Sequence, residues 1–103
     1  MTTKKIEDKI DNCPAEEVLK LFAGKWKPQI FRLVVDNTVR FSSLLREIEG
    51  SNKQSIASSL KQMEHDGLLE RKVIKLKPLH VEYELTEKGK ELTAVFYQLE
   101  RFL

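Results

Sequence analysis

The chain has 103 residues, a mass of 12.0 kDa and a formal net charge of +2. This length predicts one domain over residues 1–103, and the 41% hydrophobic content predicts a packed core. The apolar runs are far shorter than the ~20 residues that span a bilayer, and we expect no secretory leader. The single cysteine, Cys13, excludes an internal disulfide framework, which favours a reducing compartment, the cytoplasm.

The charges are unevenly distributed along the chain. Residues 1–19 and residues 82–103 each carry three basic and five acidic side chains, a net charge of −2 for each segment. Residues 20–81 carry twelve basic and six acidic side chains, a net charge of +6. A basic middle between acidic ends indicates that the middle segment binds an anionic partner. The small total charge conceals this uneven distribution.

The first predicted helices lie before residue 36. Ile6 and Ile10 are four residues apart, which permits a short helix with one apolar face. Pro14 suits the first position of the next helix, which Gly24 is predicted to end. Pro28 is predicted to hold the first position of a third helix, whose apolar residues make it almost entirely buried: Ile30, Phe31, Leu33, Val34 and Val35.

The middle of the chain predicts a short strand and two helices. Residues 39–41 are predicted as a small strand, after which Ser42 is expected to cap a helix that ends at Gly50. Asn52 is a candidate N-cap for a helix that reaches Asp66, with Gly67 just past its end. The apolar face of this helix is predicted to consist of Ile56, Leu60 and Met63.

The last third of the chain predicts a β-hairpin and a helix. Residues 68–76 and 81–85 are predicted strands, with Pro78 at the hairpin turn. Thr86 is expected to cap the final helix, whose apolar stripe contains Leu92, Val95, Phe96, Leu99, Phe102 and Leu103. This stripe is more apolar surface than a small domain easily covers, which favours a homodimer over a purely internal core.

This order of elements predicts a mainly helical α+β fold, the winged helix-turn-helix, in which the β-hairpin is the wing. Helices at about 42–49 and 53–66 are joined by a short turn containing Gly50, as a helix-turn-helix requires. In such a module the second helix enters the major groove of DNA and the first helix braces it. Residues 53–66 are therefore the predicted recognition helix.

The outward face of the predicted recognition helix is polar, and no acidic residue occurs between Gly50 and Met63. Ordinary solvated helix faces usually mix Glu with Lys, so this pattern favours DNA contact over a bland soluble surface. Gln pairs with adenine through two hydrogen bonds, and short polar side chains reach base edges. The predicted DNA-binding residues of the helix-turn-helix are Arg40, Ser42, Lys53, Gln54, Ser55, Ser58, Ser59 and Gln62, and Lys61 is also expected to be exposed.

The predicted hairpin is basic as well. Residues 71–81 contain four Lys or Arg side chains and no acidic one. A lysine-rich hairpin is often only a solvated sheet edge, but the single sign of its charge favours contact with the phosphate backbone or the minor groove. Lys75 and Lys77 are the predicted DNA-binding residues of this wing.

Several short motifs, in their order and spacing, resemble the HxlR-type winged-helix transcriptional regulators, a family related to the MarR-like proteins. The motifs are Cys13-Pro14-Ala15-Glu16, Gly24-Lys25-Trp26-Lys27, Arg40-Phe41 with Leu44, Leu60 with Glu64, Asp66-Gly67-Leu68, Pro78, Val81-Glu82-Tyr83, Leu85-Thr86 and Gly89. The chain departs from the family pattern at Gly50-Ser51-Asn52 and in the serines at 55, 58 and 59. The operator sequence of a relative therefore does not transfer to this chain.

The resemblance implies a DNA-binding transcriptional regulator that forms a homodimer through its N-terminal segment and its last helix. The dimer interface expected on this basis consists of Ile6, Ile10, Val95, Phe96, Leu99, Phe102 and Leu103. A two-fold dimer would place its two recognition helices about one DNA turn, ~34 Å, apart on a pseudo-palindromic site.

Cys13 has two interpretations. It directly precedes a helix that is predicted to begin at Pro14, and a helix N-terminus stabilises a thiolate. The resemblance implies that some family members sense oxidants or electrophiles through this cysteine, with an oxidant or small molecule as the effector. The alternative is a small hydrophobic side chain that packs an interface.

The sequence indicates neither an enzyme nor a metal site. No nucleophile elbow, phosphate loop or paired-carboxylate pattern occurs, and His65, His80 and Cys13 lie far apart in sequence. We therefore expect no cofactor. The alternative to DNA binding is a winged-helix protein-interaction module, which the lack of acidic residues on the recognition helix and wing disfavours.

Overall fold

The computed structural model describes residues 13–103, so the predicted helix around Ile6 and Ile10 lies outside the described residues. The described part contains five helices and a two-stranded antiparallel hairpin. In chain order the elements are α1 (Pro14–Phe22), α2 (Lys27–Val34), α3 (Phe41–Glu47), α4 (Lys53–His65), β1 (Leu69–Lys75), β2 (His80–Leu85) and α5 (Glu87–Glu100). Within this part of the chain, no helix combines the length and apolar character that crossing a lipid bilayer requires.

The core lies where α2, α3, α4 and α5 meet the base of the hairpin. Its most buried side chains are Ile30, Phe31, Leu44, Ile56, Leu60, Met63 and Leu68. The inward face predicted for the helix after Asn52 is thereby confirmed. Phe22, Phe31 and Phe96 add an aromatic cluster whose ring centroids lie between 4.8 and 5.7 Å apart, which joins α1, α2 and α5.

The turn between α1 and α2 has an unusual backbone. Gly24 has φ = 111°, and Trp26 has φ = 70°, a left-handed conformation that side chains other than glycine rarely adopt. Because α2 begins at Lys27, Pro28 occupies its second position and not the first, where it was predicted. A proline is tolerated there because the first N–H groups of a helix have no partner within it.

The caps predicted for the longer helices are confirmed. The Asn52 Oδ1 atom accepts a hydrogen bond of 2.8 Å from the Ser55 N–H, and the Ser55 hydroxyl accepts one of 3.2 Å from the Asn52 N–H. This reciprocal pair is a capping box. Gly67 follows α4 with φ = 78°, and the Thr86 hydroxyl accepts from the Gly89 N–H at the start of α5.

Two local predictions around α3 are wrong. Residues 39–41 do not form a strand: Val39 makes one bridge with Tyr83, exchanging backbone hydrogen bonds of 2.9 and 2.8 Å. The helix begins at Phe41, so Ser42 lies inside it, and Arg40 holds the N-cap position without a side-chain cap. The pairing is limited to one bridge because α3 begins at Phe41, two residues after Val39.

The hairpin pairs Leu69 with Leu85 at its buried base and Lys75 with His80 near its tip. Its register is interrupted between Val73 and Lys75, so Ile74 is the extra residue of a β-bulge. Residues 76–79, which include Pro78, form the turn, as predicted. Helices α3 and α4 with this hairpin complete the predicted winged helix-turn-helix, in which α4 is the second helix and β1–β2 is the wing.

Candidate nucleic-acid interface

The outward face of α4 is exposed and carries no carboxylate over its first three turns. Gln54, Ser58 and Lys61 follow one another at spacings of four and three residues, on the side of the helix opposite the buried Ile56 and Leu60. Ala57 is exposed beside them and was not among the predicted residues. A methyl group at such a position is suited to the C5-methyl of thymine.

Ser55 and Ser59 do not lie on this face, contrary to the prediction. The Ser59 side chain is buried, and its hydroxyl donates a hydrogen bond of 2.6 Å to the Lys25 carbonyl. The Ser55 hydroxyl accepts from the Trp26 indole N–H at 3.1 Å and also belongs to the capping box. Both serines therefore attach α4 to the turn before α2, and neither hydroxyl is free to reach a base.

Trp26 also supports the turn of the helix-turn-helix. A Cβ atom placed on Gly50 would lie 3.6 Å from the Cη2 atom of Trp26, so the indole packs against that turn. Gly50 has φ = 84°, a conformation that glycine adopts at no steric cost. Through Ser55 and Gly50, one half-buried tryptophan sets the position of the first turn of α4.

Two surface clefts flank the exposed face of α4. One, of about 280 Å³, lies between α4 and the turn before α2 and includes Lys25 and Lys27 together with Ser58 and Gln62. The other, between α4 and the wing, is lined by Phe41, Ala57, Lys61, Glu64, Arg71 and Tyr83. Lys25, Lys27 and Arg71 thus join the basic surface around α4, although the sequence prediction had not included them among its site residues.

The wing presents its lysines in different electrostatic settings. Lys72 forms an ion pair of 2.6 Å with Glu84, and this hydrogen-bonded carboxylate raises the pKa of Lys72 above its usual range. Lys75 and Lys77 are exposed and form no ion pair within residues 13–103. Because the bulge at Ile74 shifts the alternation, Lys75 projects from the same face of the hairpin as Lys72 and His80.

Of the four remaining predicted DNA-binding residues, three lie at the start of α3 or α4 and one lies in the second half of α4. Arg40 and Ser42 are exposed at the N-terminal end of α3, and Lys53 is exposed at the first position of α4. Gln62 is exposed one turn beyond Ser58, where its amide donates a hydrogen bond of 3.2 Å to the Asp66 carboxylate. The N-terminal end of α4 is exposed to solvent, and it adds the positive end of a helix dipole to this surface.

The residues predicted for sensing and dimerisation occupy other surfaces. Cys13 is exposed, unpaired with any cysteine, and holds the N-cap position of α1. Val95, Leu99, Phe102 and Leu103 are exposed apolar residues of α5 and the segment after it. Phe96 is instead buried in the aromatic cluster, so its predicted place in a dimer interface is wrong; Ile6 and Ile10 lie outside the described residues.

Metal chemistry has no visible basis in the described residues. Across residues 13–103, no group of three or more His, Cys, Asp or Glu side chains is arranged to hold an ion. His65 is exposed at the end of α4, far from Cys13 in the fold's element order.

The fold and the helix-turn-helix surface can be compared with known proteins. The family described as the HxlR-like helix-turn-helix matches residues 21–103, which is most of the chain. The chain belongs to the HxlR-like helix-turn-helix family.

Relatives of this HxlR-like protein are HTH-type transcriptional regulators. YtfH of Escherichia coli (strain K12) is 39% identical over 83 residues, which are 81% of this chain and 66% of YtfH, so the chain spans just under two thirds of that relative. YodB of Bacillus subtilis (strain 168) is 33% identical over 89 residues, which are 85% of this chain and 80% of YodB.

Solved structures of other regulators are similar to this chain over most of its length. The redox regulator HypR in its reduced form superimposes with a TM-score of 0.82 at 31% identity and covers 86% of this chain and 88% of HypR. The reduced form of YodB from B. subtilis gives a TM-score of 0.79 at 32% identity, over 88% of this chain and 90% of YodB. The fold predicted for this HxlR-like chain is confirmed.

Proposed function

We propose that this chain is a sequence-specific DNA-binding transcriptional regulator that acts as a homodimer. The observation that carries the proposal is the exposed face of α4, on which Gln54, Ala57, Ser58 and Lys61 lie without a carboxylate among them. DNA carries a dense negative charge, so a contact face without carboxylates approaches it with no charge repulsion. In this proposal α4 reads base edges in the major groove, and Arg40, Ser42 and Lys53 contact the adjacent backbone.

The wing adds a second contact in this proposal. Lys75 and Lys77 are exposed near the tip of an arm that extends beyond the core, and no neighbouring carboxylate neutralises them in the described part of the chain. Phosphate contacts of this kind position a protein on the duplex without reading its sequence. Lys72 contributes less because it is paired with Glu84.

The roles of helix and wing are separable by experiment. A duplex selected from a random library supplies the probe, and fluorescence anisotropy gives its Kd as a function of salt. Each lost phosphate contact reduces the log–log salt slope by about 0.9. Lys75→Gln with Lys77→Gln removes two contacts per chain and four per homodimer, so it should reduce the slope by about 3.6. Lys90→Gln, a neutralisation on α5, is the matched control and should leave the slope unchanged.

Gln54→Ala tests base reading. It should reduce the preference for the selected duplex over a scrambled one by about 1–3 kcal/mol while the salt slope stays the same. A flat salt slope, or no binding of any duplex, would support the protein-interaction module instead. If Lys75→Gln changed the preference and Gln54→Ala did not, the assigned roles would be wrong.

We also propose that Cys13 makes DNA binding responsive to oxidants or electrophiles. Two observations support this: the thiol is exposed at the N-terminus of α1, and similar structures include HypR in reduced and oxidised forms and diamide-treated YodB. With one cysteine per chain, the Cys13 thiols of two protomers would form one disulfide. The two electrons and two protons released would reduce the N=N bond of diamide to a hydrazine.

This second proposal predicts a shift in DNA affinity on oxidation. Diamide should produce a dimer band on a non-reducing gel and change the Kd for the selected duplex, and dithiothreitol should reverse both effects. Methylglyoxal tests modification of the thiol without a disulfide. Cys13→Ser should bind DNA equally with and without either reagent. Equal binding by the unmodified chain in all conditions would leave Cys13 with a packing role.

A further inference from the structure

A pocket of about 500 Å³ lies beside Trp26, and the residues that line it are not used by the proposed DNA contacts. It is bounded by the start of α2, the end of α3 and the last turns of α5. Its lining residues are Trp26, Pro28, Gln29, Arg32, Leu33, Glu47, Ile48, Glu49, Phe96 and Glu100. This volume falls within the range of small-molecule sites.

The walls of the pocket are largely apolar and aromatic. Trp26 and Phe96 supply two aromatic rings, and Leu33 and Ile48 supply aliphatic surface. Phe96 and Ile48 are buried and Trp26 is half-buried, so the side chains at the base of the pocket are held in place by the core. Such a lining favours a ligand that contains an aromatic ring.

The charge of the pocket selects the sign of the ligand. Arg32 is its one basic lining residue, and Arg32 is already paired with Glu100 at 2.8 Å. Glu47 and Glu49 also line the pocket, and neither forms an ion pair with any residue of the described chain. The pocket therefore has two uncompensated negative charges beside two aromatic rings, an arrangement that attracts cations.

Arg32 shows how a cation is held at this pocket, between an aromatic ring and a carboxylate. Its guanidinium carbon lies 6.0 Å from the centre of the Phe96 ring while Glu100 holds the guanidinium group from the side. A carboxylate ligand would have to share Arg32 with Glu100 and would be repelled by the unpaired carboxylates of Glu47 and Glu49. An organic cation is attracted by the same carboxylates.

We propose that this pocket binds a small organic cation that carries an aromatic ring, and that the bound cation weakens DNA binding. The second part rests on the proposed function. The link is Trp26, which lines the pocket, donates its indole N–H to Ser55 and packs against Gly50. A ligand that draws the indole into the pocket loosens the first turn of α4, where Gln54 and Ser58 lie.

Because Trp26 is the single tryptophan of the chain, its fluorescence reports on the pocket directly. We expect benzyltrimethylammonium to cause a saturable change in emission, whereas phenylacetate at equal concentration causes none. Combining Glu47→Gln with Glu49→Gln should weaken the affinity for benzyltrimethylammonium by about fivefold. The bound cation would lose its interaction with two exposed carboxylates, and each such interaction is weak. Glu91→Gln, an exposed neutralisation on α5 outside the pocket, should leave the affinity unchanged.

Gln29→Lys is a second variant that does not depend on removing a carboxylate. Gln29 is exposed at the pocket on α2, and lysine is as good a helix former as glutamine, so the fold should be kept. The added ammonium group should weaken binding of benzyltrimethylammonium severalfold. Stronger binding of phenylacetate than of the cation would overturn the charge assignment, and no saturable response to either probe would overturn the site.

The effect on DNA is measured separately by anisotropy at constant ionic strength. Saturating benzyltrimethylammonium should raise the Kd for the selected duplex by about fivefold or more, a usual size for coupling between two sites. If the cation binds and the Kd does not change, the coupling through Trp26 is overturned. If the chain binds no DNA, the proposed function fails and the coupling with it, whereas the fluorescence titration still decides whether the pocket binds cations.

Discussion

Ser58 and Ser59 are neighbours in sequence with opposite environments. Ser58 is exposed on the face of α4 proposed to read DNA, whereas the buried Ser59 hydroxyl donates to the Lys25 carbonyl. The two serines have the same residue type, but helical spacing separates them, because Ser59 lies three residues after Ile56 and four before Met63, on the buried face of α4. The face of each serine could therefore be predicted from the sequence, whereas the partner of Ser59, the Lys25 carbonyl 34 residues earlier, could not.

We expect substitutions of these two serines to have opposite effects: one should lower stability and the other should weaken DNA binding. Ser59→Ala leaves the Lys25 carbonyl without its side-chain donor and should lower the free energy of unfolding by about 1 kcal/mol. Ser58→Ala should change it by less than about 0.5 kcal/mol, as is usual for an exposed site, yet should weaken binding to the selected duplex. Urea unfolding and DNA anisotropy measure the two effects. Equal stability of both variants would contradict the assigned role of Ser59.

At the scale of the element, helix ends were predicted well where the cap is local and poorly where it is not. The capping box of Asn52 and Ser55 involves residues three apart, and the Thr86 cap is equally local, so both could be predicted from the sequence. The start of α3 is set by the bridge between Val39 and Tyr83, whose partners are distant in sequence. Ser42 was predicted as a cap because its residue type suits one, but the N-cap residue is Arg40, two residues earlier.

This contrast gives a prediction about stability. Asn52→Ala removes one half of the capping box and should destabilise the chain by about 1 kcal/mol, measured by thermal or urea unfolding. Ser42→Ala should have almost no effect, because Ser42 makes no cap. A loss of stability in Ser42→Ala as large as that in Asn52→Ala would show that Ser42 supports α3 in some other way.

At the scale of the whole molecule, two apolar surfaces are exposed among residues 13–103. Val95 and Leu99 are 39% and 43% exposed on α5, followed by the exposed Phe102. In α1, Phe22 is the one buried residue, and Leu19 is 56% exposed. The overall winged-helix layout followed from the order of elements, but the division of the apolar stripe into core and surface did not, because Phe96 packs on Phe22 and Phe31 from two other helices.

We expect these surfaces to be buried between two copies of the chain. Leu99→Glu places a charge in the expected interface and should convert the dimer to a monomer in sedimentation velocity at micromolar concentration. Ala94→Glu introduces the same charge at an exposed position about 140° around the helix from Leu99 and should leave the dimer intact. The monomeric variant should also bind a full site more weakly than a dimer, since it engages one half-site at a time. A dimer that persists in Leu99→Glu would place the interface elsewhere.

The wing has one further consequence, which concerns solubility. The outer edge of β1 has no neighbouring strand in the described part of the chain, and Val73, Ile74, Leu76 and Leu79 are exposed along it or at its tip. An open apolar edge of this kind templates pairing with other chains, and interspersed lysines and a proline are the usual protection. Lys75, Lys77 and Pro78 occupy these protective positions. In the absence of DNA, the charges proposed to hold phosphates would thus keep molecules of this protein from aggregating with one another.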